Sequence, residues 1–518
     1  MAAPGSARRQ ESDGGGSVGA GKAHRNWGVP GDVSPDARAT NSVGDLQRRV
    51  SGRAGAVSPA RRGAFEVLLL VEERRAYSHI ALRQVLNRLG ADRRDSALAT
   101  EIVQGTLRWQ QWLDEQINAK SRIPITRLDA VVRVTLRMAV YQLYKLRHCA
   151  PHAVVHDAVE LVKGTQPRAA SYVNGVLRAL ERQQETPPQP RAAESWEDPG
   201  NPEELARRTS HPTWMVERWW SWLGPEATIA LCQSNNEPPP LALRVNLWRS
   251  SVAEVMESVR EAGGEGRPSP VIPGVLRVSG VDVSRLSTFQ SGACSVQDES
   301  ATLAAWTLQP EPGGEVLDLC AAPGGKSAHL AEWMKGTGRV TAVDIHPHKI
   351  PLIEQTARRL GLPNVHPVCA DGRDAPSLGI FDAALVDAPC SGLGVLRRRP
   401  ELKWRRRPED IQDLVKLQGE LLAAAARAVR PDGILVYATC TVCEAENDGV
   451  VEAFLAGPEG RDFDLEDPAA LWPDALGQMT LSTRFGRQIL PFHFGGDGFY
   501  YARLRRKPSG AQRGIRRD

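Results

Sequence analysis

The stretch that decides the fold is Val316-Leu317-Asp318-Leu319-Cys320-Ala321-Ala322-Pro323-Gly324-Gly325-Lys326-Ser327. Its first four residues predict a short buried strand, and the apolar spacing after the glycines predicts a helix over Lys326–Trp333. The small residues between them let the backbone approach a ligand closely, and the first turn of the helix offers free N–H groups. The pattern is not the dinucleotide G-x-G-x-x-G, and Cys320 replaces the first glycine of a phosphate loop. The turn therefore argues against NAD as the ligand, and it makes ATP a weaker candidate than another nucleoside cofactor.

Strand-like and helical segments alternate around this turn. Strands are predicted over Glu315–Leu319, Arg339–Val343, Ala383–Val386 and Ile434–Ala438, and further helices over Ile350–Leu360 and Ile411–Val429. Such alternation is typical of a mostly parallel sheet that is covered by helices on both faces. From Phe289 to about residue 507 we therefore predict an α/β domain of the Rossmann type.

Two aspartates follow the next strands of this predicted sheet. Asp344 ends the strand after the glycine-rich turn, where a carboxylate can accept hydrogen bonds from ribose hydroxyls. Asp371 ends the strand-like segment Val365–Ala370 and is expected to meet an adenine. Either residue alone would be a helix cap or a loop carboxylate. In register with the turn, the two aspartates predict a nucleoside cofactor.

Two cysteine-containing turns follow neighbouring strands. Asp387-Ala388-Pro389-Cys390 comes directly after Ala383–Val386, and Thr439-Cys440-Thr441 comes directly after Ile434–Ala438. Both cysteines should lie at the carboxyl ends of adjacent strands, which is the edge where open sheets bind ligands. A buried cysteine is ordinarily only a small apolar residue, a description that suits Cys232 better than this pair.

Such a pair of thiols suits methylation of cytosine at C5, because that carbon is a poor nucleophile until a thiolate adds to C6. A base must then remove the C5 proton so that the thiolate can leave. Asp387 can hold or protonate N3 and so stabilise the charge that develops. A free thiol has a pKa of about 8.5, so the site should lower it or ease the addition through Asp387. The spacing does not decide whether Cys390 or Cys440 attacks.

The part of the chain before this domain divides into four regions. Residues 1–56 are rich in Gly, Ser, Ala and Arg without an apolar period, which predicts a disordered extension. Residues 57–184 carry apolar stripes at helical spacing, as over Leu128–Lys145, and predict an all-helical domain. A proline-rich linker over 185–202 leads to a small mixed α/β region, 203–288.

Four tryptophans lie close together in the small mixed region: Trp214, Trp219, Trp220 and Trp222. They could stack on bases, but we favour the interpretation that they pack as a core. Positive charge is concentrated rather than abundant, since the formal net charge is only +4. The arginines of the run 397–407 follow the first cysteine motif and are expected to contact RNA phosphates. The basic tail over 508–518 is more simply a solvated, disordered end.

Composition disfavours several classes of protein. No apolar run reaches the roughly 20 residues of a membrane span. Residues Met1–Ala20 lack the layout of a secretory signal, so we expect a cytoplasmic protein. Eight scattered cysteines do not suggest a disulfide framework. Cys440 and Cys443 form the only Cys-x-x-Cys, and without a second ligand pair no metal site is expected.

As a set, these motifs resemble those of the RNA cytosine-5 methyltransferases of the RsmB/Sun (Fmu) group, which modify 16S ribosomal RNA. The resemblance is carried by Asp318–Ser327, Asp387–Gly394, Arg398–Trp404, Thr439–Asn447 and Asp497–Ala502. Residues 57–184 resemble the NusB-like RNA-binding domain of that group through Ser78–Leu82 and Ser171–Arg178. Leu243–Asn246 and Val296–Glu299 also match, so the resemblance covers about residues 57–507.

The resemblance implies S-adenosyl-L-methionine as the cofactor and RNA, most simply 16S ribosomal RNA, as the partner of a monomeric chain, with no DNA or membrane partner. It implies that Cys440 is the nucleophile and that Cys390 assists release. The cofactor contacts that it implies are Cys320, Ala321, Ala322, Pro323, Gly324, Gly325, Lys326, Asp344, Asp371 and Asp387. Thr441 stands where serine is common, and Cys443 is close enough in sequence to pair with Cys440 on oxidation.

Two alternatives remain open. The chain could be a cytosine-5 methyltransferase that acts on tRNA, another RNA or DNA. Residues 57–184 alone would also suit a non-catalytic RNA-binding or antitermination factor, although the presence of Asp387, Cys390 and Cys440 argues against that reading.

Overall fold

The computed structural model describes residues 57–146, 148–185 and 199–508. The predicted extension over 1–56, most of the linker over 185–202 and nearly all of the tail over 508–518 lie outside these residues. Among the described helices, none combines the length and the apolar character that crossing a membrane requires.

An all-helical domain opens the described chain. Its helices are α1 (Pro59–Arg74), α2 (Ser78–Leu89), α3 (Arg93–Arg108), α4 (Gln110–Asn118), α5 (Ala130–Lys145), α6 (Pro151–Thr165) and α7 (Ala170–Glu185). Helix α1 begins where Ser58 accepts a hydrogen bond from the N–H of Arg61 and Pro59 occupies the first turn. The apolar stripe predicted over Leu128–Lys145 forms α5, whose buried face packs in one continuous core with α1 and α6. The helical character predicted for this region is confirmed.

A small antiparallel sheet follows three connecting helices. The elements are α8 (Pro202–Thr209), α9 (Thr213–Leu223), α10 (Pro225–Asn235), β1 (Leu241–Val245), α11 (Val252–Glu261), β2 (Glu265–Pro268), β3 (Val275–Ser279), α12 (Ser287–Gln290) and β4 (Cys294–Val296). The strand order is β2-β3-β1-β4, and α11 packs on one face of the sheet through Val255 and Val259. Arg244 on β1 forms a buried ion pair with Glu332, which joins this sheet to the next domain.

The last domain is built around a large mixed sheet. Its elements are α13 (Glu299–Leu308), β5 (Glu315–Leu319), α14 (Gly325–Trp333), β6 (Arg339–Asp344), α15 (Ile350–Leu360), β7 (Val365–Cys369), β8 (Phe381–Asp387), α16 (Leu402–Arg405), α17 (Pro408–Ala428), β9 (Val429–Thr439), α18 (Asp448–Ala456), β10 (Phe463–Glu466), α19 (Asp474–Met479), β11 (Leu481–Ser482), β12 (Arg487–Ile489), α20 (Pro491–Phe494) and β13 (Phe499–Arg506). The strand order is β11-β12-β13-β9-β8-β5-β6-β7, with β10 beside β13.

The strands β5 to β9 run parallel, and β13 joins β9 in the antiparallel direction. Strands β5 and β8 are apolar along most of their length because helices cover both faces of the sheet. Helices α14 and α15 pack on one face, and α17 and α18 pack on the other. The predicted Rossmann-like arrangement is therefore confirmed. The chain order reverses between β5 and β8, which places a crevice at the carboxyl ends of these strands.

The tryptophans of α9 pack as a core, which is the interpretation that we favoured. Trp219 is fully buried, and the other three pack partly buried against the same apolar cluster. That cluster includes Val442 and Cys443, so the connecting helices pack directly against the loop that follows β9.

The arginine run 397–407 departs from its prediction as an RNA-contacting surface. Four of its arginines bond inside the protein: Arg397 to the carbonyls of Glu237, Pro238 and Gly495, Arg398 to Asp298 and Asp497, Arg405 to the carbonyls of Val71 and Ala76, and Arg406 to those of Cys390 and Ser391. The prediction was wrong for these four because the run lies at the junction of the domains, where guanidinium groups satisfy buried carbonyls and carboxylates. Arg399 and Arg407 are the exposed arginines of the run.

Candidate active site

The glycine-rich turn after β5 is a tight backbone cradle. Cys320 has a φ of 62° and Gly324 a φ of 98°, so the chain turns through the left-handed region at both ends of the turn. A Cβ on Gly324 would lie 3.1 Å from the Cα of Ile353, whereas a Cβ on Gly325 would meet nothing within 4 Å. The turn therefore packs against α15 on one side and leaves open space on the other.

Two buried carboxylates at the ends of strands or beside them support the turn through hydrogen bonds. Asp344, buried at the end of β6, accepts hydrogen bonds from the backbone N–H of Ala322 at 3.3 Å and of His346 at 3.0 Å. Asp318 is fully buried and accepts a hydrogen bond from the Ser327 hydroxyl at 2.6 Å. Its other oxygen has no partner among the described residues, and burial raises its pKa to about 7. The unpartnered oxygen and the open space beside Gly325 fit a bound nucleoside with polar substituents.

Asp371 lies beyond the end of β7, at the same edge of the sheet. Its carboxylate accepts a hydrogen bond from the backbone N–H of Arg373 at 3.0 Å and forms an ion pair with the same side chain. Hydrogen bonds from Arg373 lower the pKa of Asp371, so this carboxylate is ionised. The structure brings Asp344 and Asp371 to the edge that the sequence predicted. Asp371 is already tied to a neighbouring arginine, which the sequence did not indicate.

The two cysteines lie side by side at the carboxyl ends of β8 and β9. Their sulfur atoms are 3.3 Å apart; Cys390 is buried, and Cys440 is partly exposed. Asp387 ends β8, where its Oδ2 accepts a hydrogen bond from the Lys326 ammonium at 2.6 Å. The ammonium also lies 5.1 Å from the centre of the Phe499 ring. The predicted neighbours therefore form one cluster of two thiols, one carboxylate and one cation.

The environment shifts the pKa values of the two thiols in opposite directions. The hydrogen bond between them lowers the pKa of Cys440, assisted by the charges of Lys326 and Arg399 and opposed by burial and Asp387. The same bond, together with burial, raises the pKa of Cys390 well above its ordinary value. For Lys326, burial acts to lower the pKa, but the charge of Asp387, the hydrogen bond to it and the charges of Cys440 and Asp318 together outweigh burial and raise the pKa overall. The cluster thus favours a thiolate on Cys440 that accepts a hydrogen bond from the thiol of Cys390.

A buried glutamate, which the sequence did not single out, holds both cysteine loops. Glu446 accepts hydrogen bonds from the backbone N–H of Ser391 at 2.8 Å and from the amide of Gln418 at 3.0 Å. The hydroxyls of Ser391 and Thr441 are 2.7 Å apart, which joins the two loops directly. Thr441, which stands where serine is common, thus takes part in this link through its hydroxyl. Glu446 lies within the motif Thr439–Asn447, but its spacing alone carries no signal for this role.

Residues outside the two cysteine loops support them as well. Arg406 donates to the carbonyls of Ser391 at 2.8 Å and Cys390 at 3.2 Å. The indole of Trp219 donates to the carbonyl of Val442 at 2.9 Å. A Cβ on Gly394 would lie 2.1 Å from the carbonyl oxygen of Gly498, so the last strand closes over the first loop. Long-range contacts of this kind leave no pattern in the sequence.

Three family models match the chain along its length. Residues 58–182 match the NusB family, and residues 211–284 match the ferredoxin-like domain of RsmF/B-like methyltransferases. Residues 305–505 match the model of the 16S rRNA methyltransferase RsmB/F.

Relatives align over most of the chain. The protein named "Probable ribosomal RNA small subunit methyltransferase B" of Bacillus subtilis is 38% identical over 449 residues, which is 86% of this chain and 98% of that protein. Ribosomal RNA small subunit methyltransferase B of Pseudomonas syringae pv. tomato is 37% identical, over 79% of this chain and 89% of its own length. The crystal structure of PH0851 superposes with a TM-score of 0.70 at 28% identity, covering 87% of this chain and 100% of that one.

Proposed function

The chain belongs to the RsmB/F family of 16S rRNA methyltransferases, and on that premise we propose that it methylates C5 of a cytosine in small-subunit ribosomal RNA. The family membership confirms the resemblance drawn from the motifs, and the cofactor is S-adenosyl-L-methionine. The observation that carries the cytosine chemistry is the pair of thiols, 3.3 Å apart, beside Asp387. Two adjacent thiols have an evident use when a cytosine is activated by covalent addition and then released.

We assign the cofactor to the turn Cys320–Lys326 and to Asp344, Asp371 and Asp387. When bound there, S-adenosyl-L-methionine supplies an electrophilic methyl group. The backbone of Gly324 and Gly325 leaves room for close approach, and Asp344 offers a carboxylate for ribose hydroxyls. Asp318 adds a buried oxygen without a partner among the described residues, which suits a donor on the cofactor.

Cys440 is the proposed nucleophile. Its Sγ forms a bond to C6 of the cytosine, and the electron pair of the C5–C6 bond moves so that C5 becomes nucleophilic. As the ring gains electron density, N3 takes up a proton from solvent, and the Asp387 carboxylate accepts a hydrogen bond from that N3–H, which limits the charge that accumulates on the ring. Lys326 supports both roles, because its charge stabilises the thiolate and its hydrogen bond orients the carboxylate.

Cys390 is proposed to assist release. After methyl transfer, C5 carries both the methyl group and its original hydrogen. Formation of the adduct consumes the Cys440 thiolate, and its hydrogen bond is the largest cause of the raised pKa of Cys390, so Cys390 can then give its own proton to solvent. The Cys390 thiolate accepts the C5 proton, the electron pair of the C5–H bond returns to the C5–C6 bond, and Cys440 leaves as a thiolate. The sulfur of Cys390 lies next to that of Cys440 and is buried, which suits a group that acts in the dry interior of the site.

The test is a direct comparison of nucleic acids with the full chain. Naked 16S rRNA, assembled small subunits, tRNA and DNA are each incubated with the protein and a cofactor labelled on its methyl carbon, and the labelled base is mapped. We expect label on C5 of a cytosine in 16S rRNA, with Cys440→Ala as the inactive control. Label confined to tRNA or DNA would show that 16S rRNA is not the substrate. An absence of label in every nucleic acid would refute the proposed activity itself.

A further inference from the structure

Arg399 is the exposed arginine that faces the helical domain. In the part of the chain that the structure describes, its guanidinium has no carboxylate or carbonyl partner, unlike those of Arg397 and Arg398. Its Cζ lies 5.7 Å from the centre of the Tyr77 ring, at the start of α2. An exposed guanidinium without an internal partner is available to bind an anion, and phosphate suits its planar fork.

Arg399 lies between the helical domain and the nucleophile. Burial and, to a smaller extent, the charge of Arg399 lower the pKa of His79 to about 4. Arg399 also contributes to the lowered pKa of Cys440, after the hydrogen bond from Cys390. One cation is therefore close enough to act on groups from two domains, and the imidazole of His79 is neutral at physiological pH.

Tyr77 and His79 form an aromatic wall beside that cation. Their ring centres are 6.0 Å apart, and the Tyr77 ring packs half-buried against the same apolar cluster as Cys440. Ser78, between them, donates from its backbone N–H and from its hydroxyl to the carboxylate of Glu401, at 3.0 and 2.9 Å. Both groups are buried, so the start of α2 is fixed to the catalytic domain rather than attached loosely beside it.

We propose that Tyr77, His79 and Arg399 form a subsite for a nucleotide that flanks the target cytosine, with a base on the aromatic faces and a phosphate on the guanidinium. The inference rests on the proposed function, because it assumes an RNA strand at the two-cysteine site. Single-stranded RNA is recognised by stacking on aromatic and guanidinium planes together with phosphate contacts. The helical domain then contributes directly to the substrate cleft.

The first test compares two exposed arginines of the same run. Arg399→Ala is expected to raise the KM for 16S rRNA about tenfold, with the cofactor KM unchanged, and to lower the salt dependence of RNA binding by about one phosphate contact. Arg407→Ala removes the same charge from the same run and should change the RNA KM by less than about twofold. An unchanged KM and salt slope in Arg399→Ala, or equal losses in both variants, would overturn the subsite.

The second test concerns stacking. Tyr77→Ala should raise the RNA KM about tenfold, a loss in line with one stacked base, and Tyr77→Phe should restore it because a phenyl ring stacks as well. The thermal unfolding midpoint of each variant separates lost stacking from lost folding. Equal KM values for Tyr77→Ala and the wild type would also refute the subsite. A wild type that methylates no RNA would refute the proposed function itself, whereas an active wild type with unaffected variants would refute the subsite alone.

Discussion

The cofactor turn and the two-cysteine site lie on the same edge of one sheet but are built in different ways. The turn is held by its own neighbours in sequence, such as Ser327 on Asp318, and by the adjacent strand through Asp344. The cysteine loops are held by Arg406 of their own domain and also by residues far away in sequence, namely Trp219 of a connecting helix and Gly498, which precedes the last strand.

This difference predicts which of the two sites tolerates substitutions in the other domains. A locally built turn forms whenever its strand and helix form, so changes in other domains should leave it intact. A site supported from several domains forms fully only when those domains are packed together. Substitutions can therefore impair activation of the cytosine without impairing binding of the cofactor.

The largest effect is expected at the two sulfurs. Cys440→Ala should lower methyl transfer by at least about a thousandfold, because no other described group occupies its position for covalent addition. Cys390→Ala should instead trap RNA on the protein as a covalent adduct that survives denaturing electrophoresis. An active Cys440→Ala together with a dead, adduct-free Cys390→Ala would reverse the two assignments.

The next largest effect tests the long-range support. Glu446→Ala leaves several buried donors without a partner and should lower the free energy of unfolding in urea by about 3 kcal/mol. Glu444→Ala, two residues earlier but exposed, should change it by less than about 0.5 kcal/mol. Cofactor binding by the folded Glu446→Ala protein, measured by calorimetry, should persist while methyl transfer falls. A parallel loss of both would show that the two regions are not independent.

A smaller effect concerns the protonation of Cys440. Lys326→Met removes a cation that stabilises the thiolate, so the pKa of Cys440 should rise and its alkylation by iodoacetamide should need a higher pH, by about one unit. Asp387→Asn removes a negative charge that raises the same pKa, so its profile should move to lower pH. Peptide mass spectrometry of the alkylated Cys440 gives both profiles. Shifts of the same sign in both variants would contradict this electrostatic account.

The smallest effect is expected at Cys443. Its sulfur is buried and lies 3.9 Å from a donor nitrogen of Arg218, and burial raises its pKa to about 12. Cys443→Ser should therefore change methyl transfer by less than about twofold. Mild peroxide should join Cys440 to Cys390, whose sulfur is in contact, and peptide mapping would identify the pair. A Cys440–Cys443 bond would show that nearness in sequence outweighs this geometry.

The sheet and its loops could be predicted from local pattern. The strand Glu315–Leu319 and the helix Ile350–Leu360 have the predicted bounds, because unbroken apolar runs and helical spacing are local properties. The adjacency of Cys390 and Cys440 followed from the rule that consecutive parallel strands end at one edge.

The support of the cysteine site could not be predicted in the same way. Arg406 and Arg399 belong to one run of identical charge, yet one bonds buried carbonyls and the other is exposed. Arg406 bonds the carbonyls of Cys390 and Ser391 inside its own domain, whereas Arg399 lies beside Tyr77 at the start of α2 (Ser78–Leu89) in the helical domain. The local sequence does not decide which of the two is covered. The sequence around Glu446 likewise predicts only an ordinary helical turn. Glu446 supports the cysteine loops because it is buried between them, and the local sequence does not show that burial.

The pairing of β13 with β9 has a consequence for the timing of biosynthesis. Tyr500 pairs with Thr439, and Gly498 donates to the carbonyl of Gly394, so the cysteine loops gain these contacts from residues that follow them in the chain. Because a ribosome makes a chain from its first residue onward, it makes Gly498 and Tyr500 after both cysteine loops. The cofactor turn has its support from the adjacent strand once Asp344 has been made, so it can form at an earlier stage of synthesis. The reactive centre is therefore completed later than the cofactor turn.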